Sequence, residues 1–276
     1  MRADLHIHSV FSDGLYTPRE ICERAKKAGL DAVSITDHDS MNGEEAKRAA
    51  AKEFGLCYIP GWEISAYDQE DKIHITGYGC ELGKAYQAFL ELRKNLSYER
   101  AEDSIQKLKK CGISITIDKV KEMLADLGSP IHTFNICRAV ERETGMPSEQ
   151  VYLEYLAPKR PACSLIGRPT PLQAIECIHA CGGVASIAHP GRLEMDFEKR
   201  EKTIYALKEM GVDGIEIYYT THTEKDVRYF HSLAEKYNLF ATGGSDTHVE
   251  DGKHKIGTPN FTIPLKFLEK VSVIYP

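Results

Sequence analysis

Short apolar runs, spaced by helix-like segments and each ending at or near a His, Asp or Glu, constrain this chain more than any other feature. The first is Asp4-Leu5-His6-Ile7-His8-Ser9, followed by Ser12-Asp13-Gly14. Side chains at i and i+2 of a strand point the same way. Leu5 and Ile7 are therefore expected to face a core and both imidazoles the other side. Two imidazoles on one strand suit a metal site, and they suit a polar edge strand as well. Thr17-Pro18-Arg19-Glu20 then reads as an N-cap, a helical first-turn proline and a capping-box Glu. Ile21, Ala25 and Ala28 make its buried stripe, and Gly29 closes the helix. Ala32 to Thr36 is a second strand, ending in Asp37-His38-Asp39, and a helix over 43–54 follows. Cys57 to Pro60 leads into Gly61-Trp62-Glu63, and Lys72 to Tyr78 alternates around His74. Strands and helices alternating at such intervals predict parallel βα units. In barrels of that kind the C-terminal strand ends carry the active site.

The 276 residues, 42% hydrophobic and 28% charged, suit one α/β barrel or one domain with an insertion. A net charge of −6 argues against a broad nucleic-acid surface. It leaves a small anionic substrate open, because metal ions supply local positive charge. Eight cysteines without a Cys-x-x-Cys, and no leader sequence, predict free thiols in the cytoplasm. No apolar run approaches the roughly 20 residues of a membrane span.

From about Glu81 the pattern changes. Residues 84–111 read as a long helix with a stripe of Ala85, Phe89, Leu92 and Leu96, and helices follow over 118–127, 133–144 and 148–156. The βα rhythm resumes with a helix over 171–180 and the run Val184 to Ala188, closed by His189-Pro190-Gly191-Arg192. Helix 197–210, strand Gly214 to Tyr218, helix 223–237 and strand Leu239 to Thr242 lead to Gly243-Gly244-Ser245-Asp246-Thr247-His248. The expected organisation is a first barrel part over 1–81, a mainly helical insertion over 82–165 and a second barrel part over 166–276.

His6, His8, Asp13, His38, Glu63, His74, His189, Asp246 and His248 are thus candidate metal ligands from one end of the strands. They are too many for one ion. Three ions, with one bridging carboxylate, would use them all.

The motifs Asp-Leu-His-Ile-His-Ser, Ser-Asp-Gly, Thr-Asp-His-Asp, Gly-Trp-Glu-Ile-Ser, Ala-His-Pro-Gly and Gly-Gly-Ser-Asp-Thr-His resemble those of the polymerase and histidinol phosphatase (PHP) family, in order and spacing. The resemblance implies a distorted (β/α)7 barrel with a trinuclear centre. One ion would sit on His6, His8, Glu63 and Asp246. A second would sit on bridging Glu63, His74 and His189. The third would sit on Asp13, His38 and His248. Two to three divalent ions, manganese, iron or zinc, are the implied cofactors. Hydroxide shared between two ions would attack phosphorus, with Glu63 and Asp246 as the central catalytic ligands.

Ser-Asp-Gly and a helical insertion before Ala-His-Pro resemble the small-phosphoesterase branch. Its members include nucleoside 3',5'-bisphosphate phosphatases, some of which trim short RNA, and a related branch opens sugar cyclic phosphates. There the insertion carries a pattern near Arg-Pro-His-Ile-Ala-Arg-Ala. Here the stretch is Thr133-Phe134-Asn135-Ile136-Cys137-Arg138-Ala139, so an Arg and a His are replaced. Arg138 and Arg192 are candidate phosphate contacts. His222 is a candidate substrate contact or leaving-group acid. Asp4, Asp37 and Glu216 read as groups that orient ligands. His132 reads as an exposed loop residue, and the insertion as a lid.

The leading expectation is a metal-dependent phosphoesterase on a small phosphorylated metabolite, with a nucleotide first among the substrates. A cyclic phosphodiesterase on a sugar cyclic phosphate comes second, histidinol phosphate third, and a non-catalytic regulatory module last. A short oligonucleotide fits as substrate; extended nucleic acid and membranes do not. The oligomeric state is not encoded in any readable pattern.

Overall fold

A computed structural model of the chain describes residues 1–69, 71–124, 130–193 and 195–276, which divide into two compact units. The first comprises Met1–Ala66, Ile73–Tyr86 and Thr170–Pro276; the second comprises Tyr67–Lys72 and Gln87–Pro169.

In chain order the first elements are β1 (Arg2–Ile7), α1 (Pro18–Lys27), β2 (Ala32–Ile35), α2 (Glu44–Glu53), β3 (Cys57–Tyr58), β4 (Gly61–Asp68) and β5 (Asp71–Tyr78). Then come α3 (Lys84–Lys110), α4 (Ile117–Lys121), α5 (Thr133–Thr144) and α6 (Ser148–Val151), which runs into a π-helical stretch, Tyr152–Leu156. The rest is α7 (Pro171–Ala180), β6 (Val184–Ile187), α8 (Phe197–Glu209), β7 (Gly214–Tyr219), α9 (Glu224–Lys236), β8 (Phe240–Gly244), β9 (Phe261–Thr262) and α10 (Leu265–Leu268). Of the helix expected over 118–127, the last three residues lie outside the described ones.

The architecture is mixed α/β. The strands form two sheets, β3-β2-β1-β9 and β4-β5-β6-β7-β8. The sheets are stitched by single parallel bridges, Ile7 to Thr247 on one side and His38 to Glu63 on the other. Among the described residues no continuous ladder closes them into a cylinder. Nor are all neighbours parallel as the rhythm predicts: β5 runs antiparallel to β6, and β9 antiparallel to β1. The reason is local. Two residues separate β4 from β5, too few for the crossover that a parallel neighbour requires.

The helices over β1 and β2 follow the expected chemistry. Thr17 and Glu20 close a capping box on α1, and Ile21, Cys22 and Ala25 bury against Val33, Ile35, Ala50 and Ala51. Each fully buried Ile there contributes roughly 1.5–3 kcal/mol. Leu5 and Ile7, expected on one core face, instead join different clusters. Ile7 packs with the α1 residues, whereas Leu5 packs with Tyr78, Phe240 and Phe261. Ala3 to Ile7 is buried on both faces, as strands between two packed layers are.

The second unit has its own core, in which Ala101, Ile105 and Leu108 of α3 meet Val120, Ile136, Val140 and Leu156. The stripe expected on α3 is displaced: Leu92 is 56% exposed. No helix among the described residues is long and apolar enough to cross a membrane, and all eight cysteines are free.

Candidate metal centre

The stitching of the sheets places the candidate ligands. His8 N–H donates to Thr247 O at 3.0 Å, and Asp246 N–H donates to His6 O at 2.7 Å. Asp39 N–H donates to Glu63 O at 2.8 Å, and Glu63 N–H donates to Asp37 O at 3.1 Å. Two bridges thereby carry His6, His8, His38, Glu63, Asp246 and His248 to one region. Gly244 permits the approach, because a Cβ there would lie 2.5 Å from the His6 backbone nitrogen. His189 and Asp246 have φ of 28° and 51°. Such left-handed backbone at non-glycine residues concentrates at functional sites.

Three overlapping groups result: His6, His8, Glu63 and Asp246; His8, Asp13, His38 and His248; and His38, Glu63 and His74. Within each, one ligand atom per residue lies within 4.8 Å of the others. His189 adds a contact from the turn after β6, its Nε2 lying 3.0 Å from Glu63 Oε1, beside His74 Nδ1 at 2.9 Å. All nine candidate ligands fall in the first unit. Glu63 stands third in β4 and His74 fourth in β5, and not at strand C-termini as the βα reading predicts.

The residues fit metal ions. His6 Nε2, both ring nitrogens of His8, His38 Nδ1 and Glu63 Oε2 are buried and have no hydrogen-bond partner among the described residues. Yet they crowd together: His6 Nε2 lies 3.3 Å from Glu63 Oε1, His8 Nε2 3.1 Å from Asp246 Oδ1, and His38 Nδ1 3.0 Å from Glu63 Oε2. Lone pairs about 3.3 Å apart without a hydrogen bond are what a shared cation with bonds of roughly 2.0–2.2 Å requires.

Electrostatics point the same way. Burial pushes the Glu63 carboxyl up, but charge on His74, His6 and His38 outweighs it and holds Glu63 well below the carboxylate range. Asp246 is likewise held well down, burial being overcome by His6 and His8. Burial, then charge on His38, lowers His8 to about 4, so one of its ring nitrogens keeps a lone pair at neutral pH. His6 goes the other way: burial opposes its charge, but Glu216, Glu63 and Asp246 raise it well above its ordinary value. Asp13, despite burial, is lowered by His248, His38 and His8.

Second contacts hold the candidate ligands. Glu216 of β7 accepts from His6 Nδ1–H at 3.1 Å and from His189 N–H at 2.6 Å. Asp37 accepts from Ser9 N–H, Ser9 Oγ–H and Ser12 Oγ–H at 2.7, 2.8 and 2.7 Å, fixing the loop between His8 and Asp13. Asp4 orders loops more than ligands, accepting from Ser245 N–H and Gly257 N–H, each at 2.9 Å.

A PHP domain model matches residues 4–110. A 5'-3' exoribonuclease of Haemophilus influenzae is 31% identical over 92% of both chains. A 3',5'-nucleoside bisphosphate phosphatase of Chromobacterium violaceum is 30% identical over 92% of this chain and 90% of that one. The chain belongs to the PHP family. It is a metal-dependent phosphoesterase, a hydrolase of phosphoric esters. A phosphoribosyl 1,2-cyclic phosphate 1,2-diphosphodiesterase of Eggerthella lenta is 30% identical over 92% of this chain and 96% of its own. Among solved structures, a sulfate-bound, metal-free amidohydrolase from Chromobacterium violaceum aligns with a TM-score of 0.78 at 27% identity, over 100% of this chain and 98% of that one. A chain from Bifidobacterium adolescentis, named as a metal-dependent phosphoesterase, aligns at 0.74 and 25% identity, over 97% and 94%.

In this PHP site Arg192 reaches the ligand region: Nη1 lies 3.2 Å from Asp246 Oδ2, and its side chain is 57% exposed. Tyr219 O–H donates to the same oxygen at 3.0 Å. Asp246 therefore offers Oδ1 to His6 and His8 and Oδ2 to Arg192 and Tyr219. Burial, then the Asp246 charge, raises the Tyr219 phenol. His222 has both ring nitrogens on backbone: Nδ1–H donates to Ile217 O at 2.9 Å, and Nε2 accepts from Gly191 N–H at 3.2 Å. Burial lowers its basicity. Arg138 is exposed on α5 in the second unit. Asn135 caps α5, accepting from His132 N–H at 2.8 Å and donating to Met123 O at 3.0 Å.

Two residues with site contacts escape the sequence reading. One is Tyr219, which holds Asp246 through its hydroxyl. The other is Lys47, buried against Asp37 at 2.6 Å. A signal existed for Lys47: it shares a helix face with Ala50 and Ala51 at i+3 and i+4.

Proposed function

We propose that this PHP phosphoesterase releases phosphate from a small nucleotide, with a 3',5'-bisphosphate as the leading substrate. The observation that carries the reading is Glu63, a buried carboxylate contacted by five imidazoles: His6, His8, His38, His74 and His189. That environment suits a bridge between ions. We read the ligand sets as His6, His8, Glu63 and Asp246 for one ion, Glu63, His74 and His189 for a second, and Asp13, His38 and His248 for a third. Manganese, iron and zinc all match this mixed N/O donor set. When bound, such ions lower the pKa of water and neutralise phosphoryl charge.

The chain's own residues do the rest. Glu216 fixes the His6 ring, and Tyr219 and Arg192 hold one Asp246 oxygen so that the other faces the imidazoles. Arg192, half in solvent, is free to exchange Asp246 for a substrate phosphoryl oxygen, and its planar fork favours two oxygens at once. His222 clamps the Gly191 turn that presents Arg192. We read the two sheets as halves of one distorted (β/α)7 barrel, and free thiols as suited to the cytoplasm.

A second reading, hydrolysis of a sugar cyclic phosphate, is favoured by one observation. Thr133 accepts from Arg168 Nη2–H at 2.9 Å and Asn135 caps a helix, so both are engaged in structural contacts. The deciding experiment follows product formation by the manganese-loaded chain, as free phosphate from monoesters, as the ring-opened monoester from a cyclic phosphate and as mononucleotide from RNA. The panel is adenosine 3',5'-bisphosphate, AMP, 5'-phosphorylated short RNA, histidinol phosphate and a ribose cyclic phosphate. Fast turnover of the bisphosphate is expected. Turnover of the cyclic phosphate alone selects the second reading. Asp246→Ala is expected to abolish release; full activity in that variant would remove the assigned centre.

A further inference from the structure

We propose that the first unit carries a second ligand site, across β7 from the metal centre, which takes a small zwitterion with an aliphatic body, a molecule of the α-amino-acid class.

The site begins at an irregularity in β7. Its register against β8 shifts between Glu216 and Tyr218, and such a bulge re-aims the side chains around it. Glu216 and Tyr219, on either side, reach His6 and Asp246. The two residues between them meet α9 instead. Tyr218 Oη lies 2.8 Å from His231 Nε2, and Ile217 lines a cavity of about 300 Å³ that His231 also lines. That volume is at the lower end of the range for small-molecule sites. On the α9 side the lining residues are His231, Ala234, Glu235 and Asn238. They fall at i, i+3, i+4 and i+7, one face of the helix and the turn that ends it.

The lining selects the occupant. Ile217, Ala234 and Leu239 are at most 6% exposed and, with Ala241, give the cavity aliphatic walls. Two opposite charges line it as well, Glu235 and Lys266 of α10. They do not pair with each other, and among the described residues neither is in any ion pair. Lys266 is nevertheless anchored at the cavity: Nζ–H donates to Asn238 Oδ1 at 2.6 Å and to Asn238 O at 3.2 Å. An ammonium carries three donors, so one is left for a ligand carboxylate. The Glu235 carboxylate makes no side-chain hydrogen bond among the described residues, and it is an acceptor for a ligand ammonium. A ligand with both groups joins the two charges that the protein leaves apart, each through a charge-assisted hydrogen bond. The aliphatic walls call for a branched apolar body beside those groups. Leucine has that body and glycine lacks it.

The test is calorimetric titration of the manganese-loaded full chain with leucine and three relatives. These are glycine, 4-methylpentanoate, which lacks the ammonium, and 3-methylbutylamine, which lacks the carboxylate. Leucine is expected to bind with a Kd of about 1 mM or below. Each relative should bind roughly 10-fold more weakly or worse, the effect of losing one charged hydrogen bond or the apolar body. Glu235 and Lys266 are exposed, so Glu235→Gln and Lys266→Gln leave the fold intact. Each should weaken leucine binding by about 10-fold or more. Absence of heat up to about 10 mM leucine would overturn the site. Unchanged leucine affinity in both variants would overturn it too, because the amino acid would then be held elsewhere, on the manganese ions first of all. Affinity for the amine or the carboxylate equal to that for leucine would overturn the zwitterion assignment.

Discussion

Lys47 Nζ lies 2.6 Å from Asp37 Oδ2, and both side chains are wholly buried next to the candidate metal centre. Asp37 also ties down Ser9 and Ser12, so the pair links α2 to the loop between His8 and Asp13. Burial works against the Asp37 charge, but Lys47 outweighs it and lowers the carboxyl. Removing one partner of a buried pair leaves an uncompensated charge. Lys47→Met is therefore expected to cost about 3–5 kcal/mol in denaturant unfolding. The double variant with Asp37→Asn should be less destabilised than Lys47→Met alone. A single variant within 1 kcal/mol of wild type would mean that the pair contributes little.

Tyr219 and Glu216 hold the candidate ligands Asp246 and His6 through Asp246 Oδ2 and His6 Nδ1. Outer contacts of this kind are worth roughly 10- to 100-fold in metal affinity. Tyr219→Phe and Glu216→Gln should each weaken manganese binding by that range, seen by titration of the metal-free chain. Unchanged affinity in both would separate these contacts from ligand orientation.

Gly191 presents Arg192 beside His222, and a Cβ on Gly191 would lie 2.7 Å from the His222 ring. Gly191→Ala must displace that turn or the His222 ring that clamps it. A shift of about 1 Å at a positioning group can cost up to about 10²-fold, and kcat/KM is expected to fall by at least 10-fold. His222→Ala in the same chain clears the ring and should recover part of the loss. If the double variant is worse than Gly191→Ala, the clash is not the cause.

Asp213 gives a pH prediction. Burial raises its carboxyl, but hydrogen bonds from His179 and Ala185 and charge on Lys270 win, and it is lowered. The folded chain thus binds its proton less readily than the unfolded chain, whose value is 3.8. Its stabilisation is fully present above that value and is lost as pH falls through the folded one. Asp213→Asn should cost about 1 kcal/mol at pH 7 and progressively less as pH falls below about 4. Equal destabilisation at pH 7 and pH 3 would show that the side chain acts by shape alone.

Local patterning, by itself, carried the elements. Period-2 alternation marks β1, capping boxes mark the starts of α1, α7 and α9, and glycines mark helix ends. These are decided by neighbours within a few residues, so sequence is enough. His6 and His8 were also legible, because two donors on one strand face need no tertiary information. Which donors share a neighbour was decided elsewhere. Glu63 gathers imidazoles from β1, β5 and the segments after β2 and β6 only because single bridges at Ile7–Thr247 and His38–Glu63 join the two sheets. The reversal of β5 followed from a connection too short to cross over, which outweighed the parallel rhythm read from the motifs. Tyr219 and Lys47 acquire their roles solely from partners, Asp246 at 27 residues' separation and Asp37 across a buried ion pair. A side chain's charge partner in a low-dielectric interior is set by the packing of whole elements, and no local pattern encodes it.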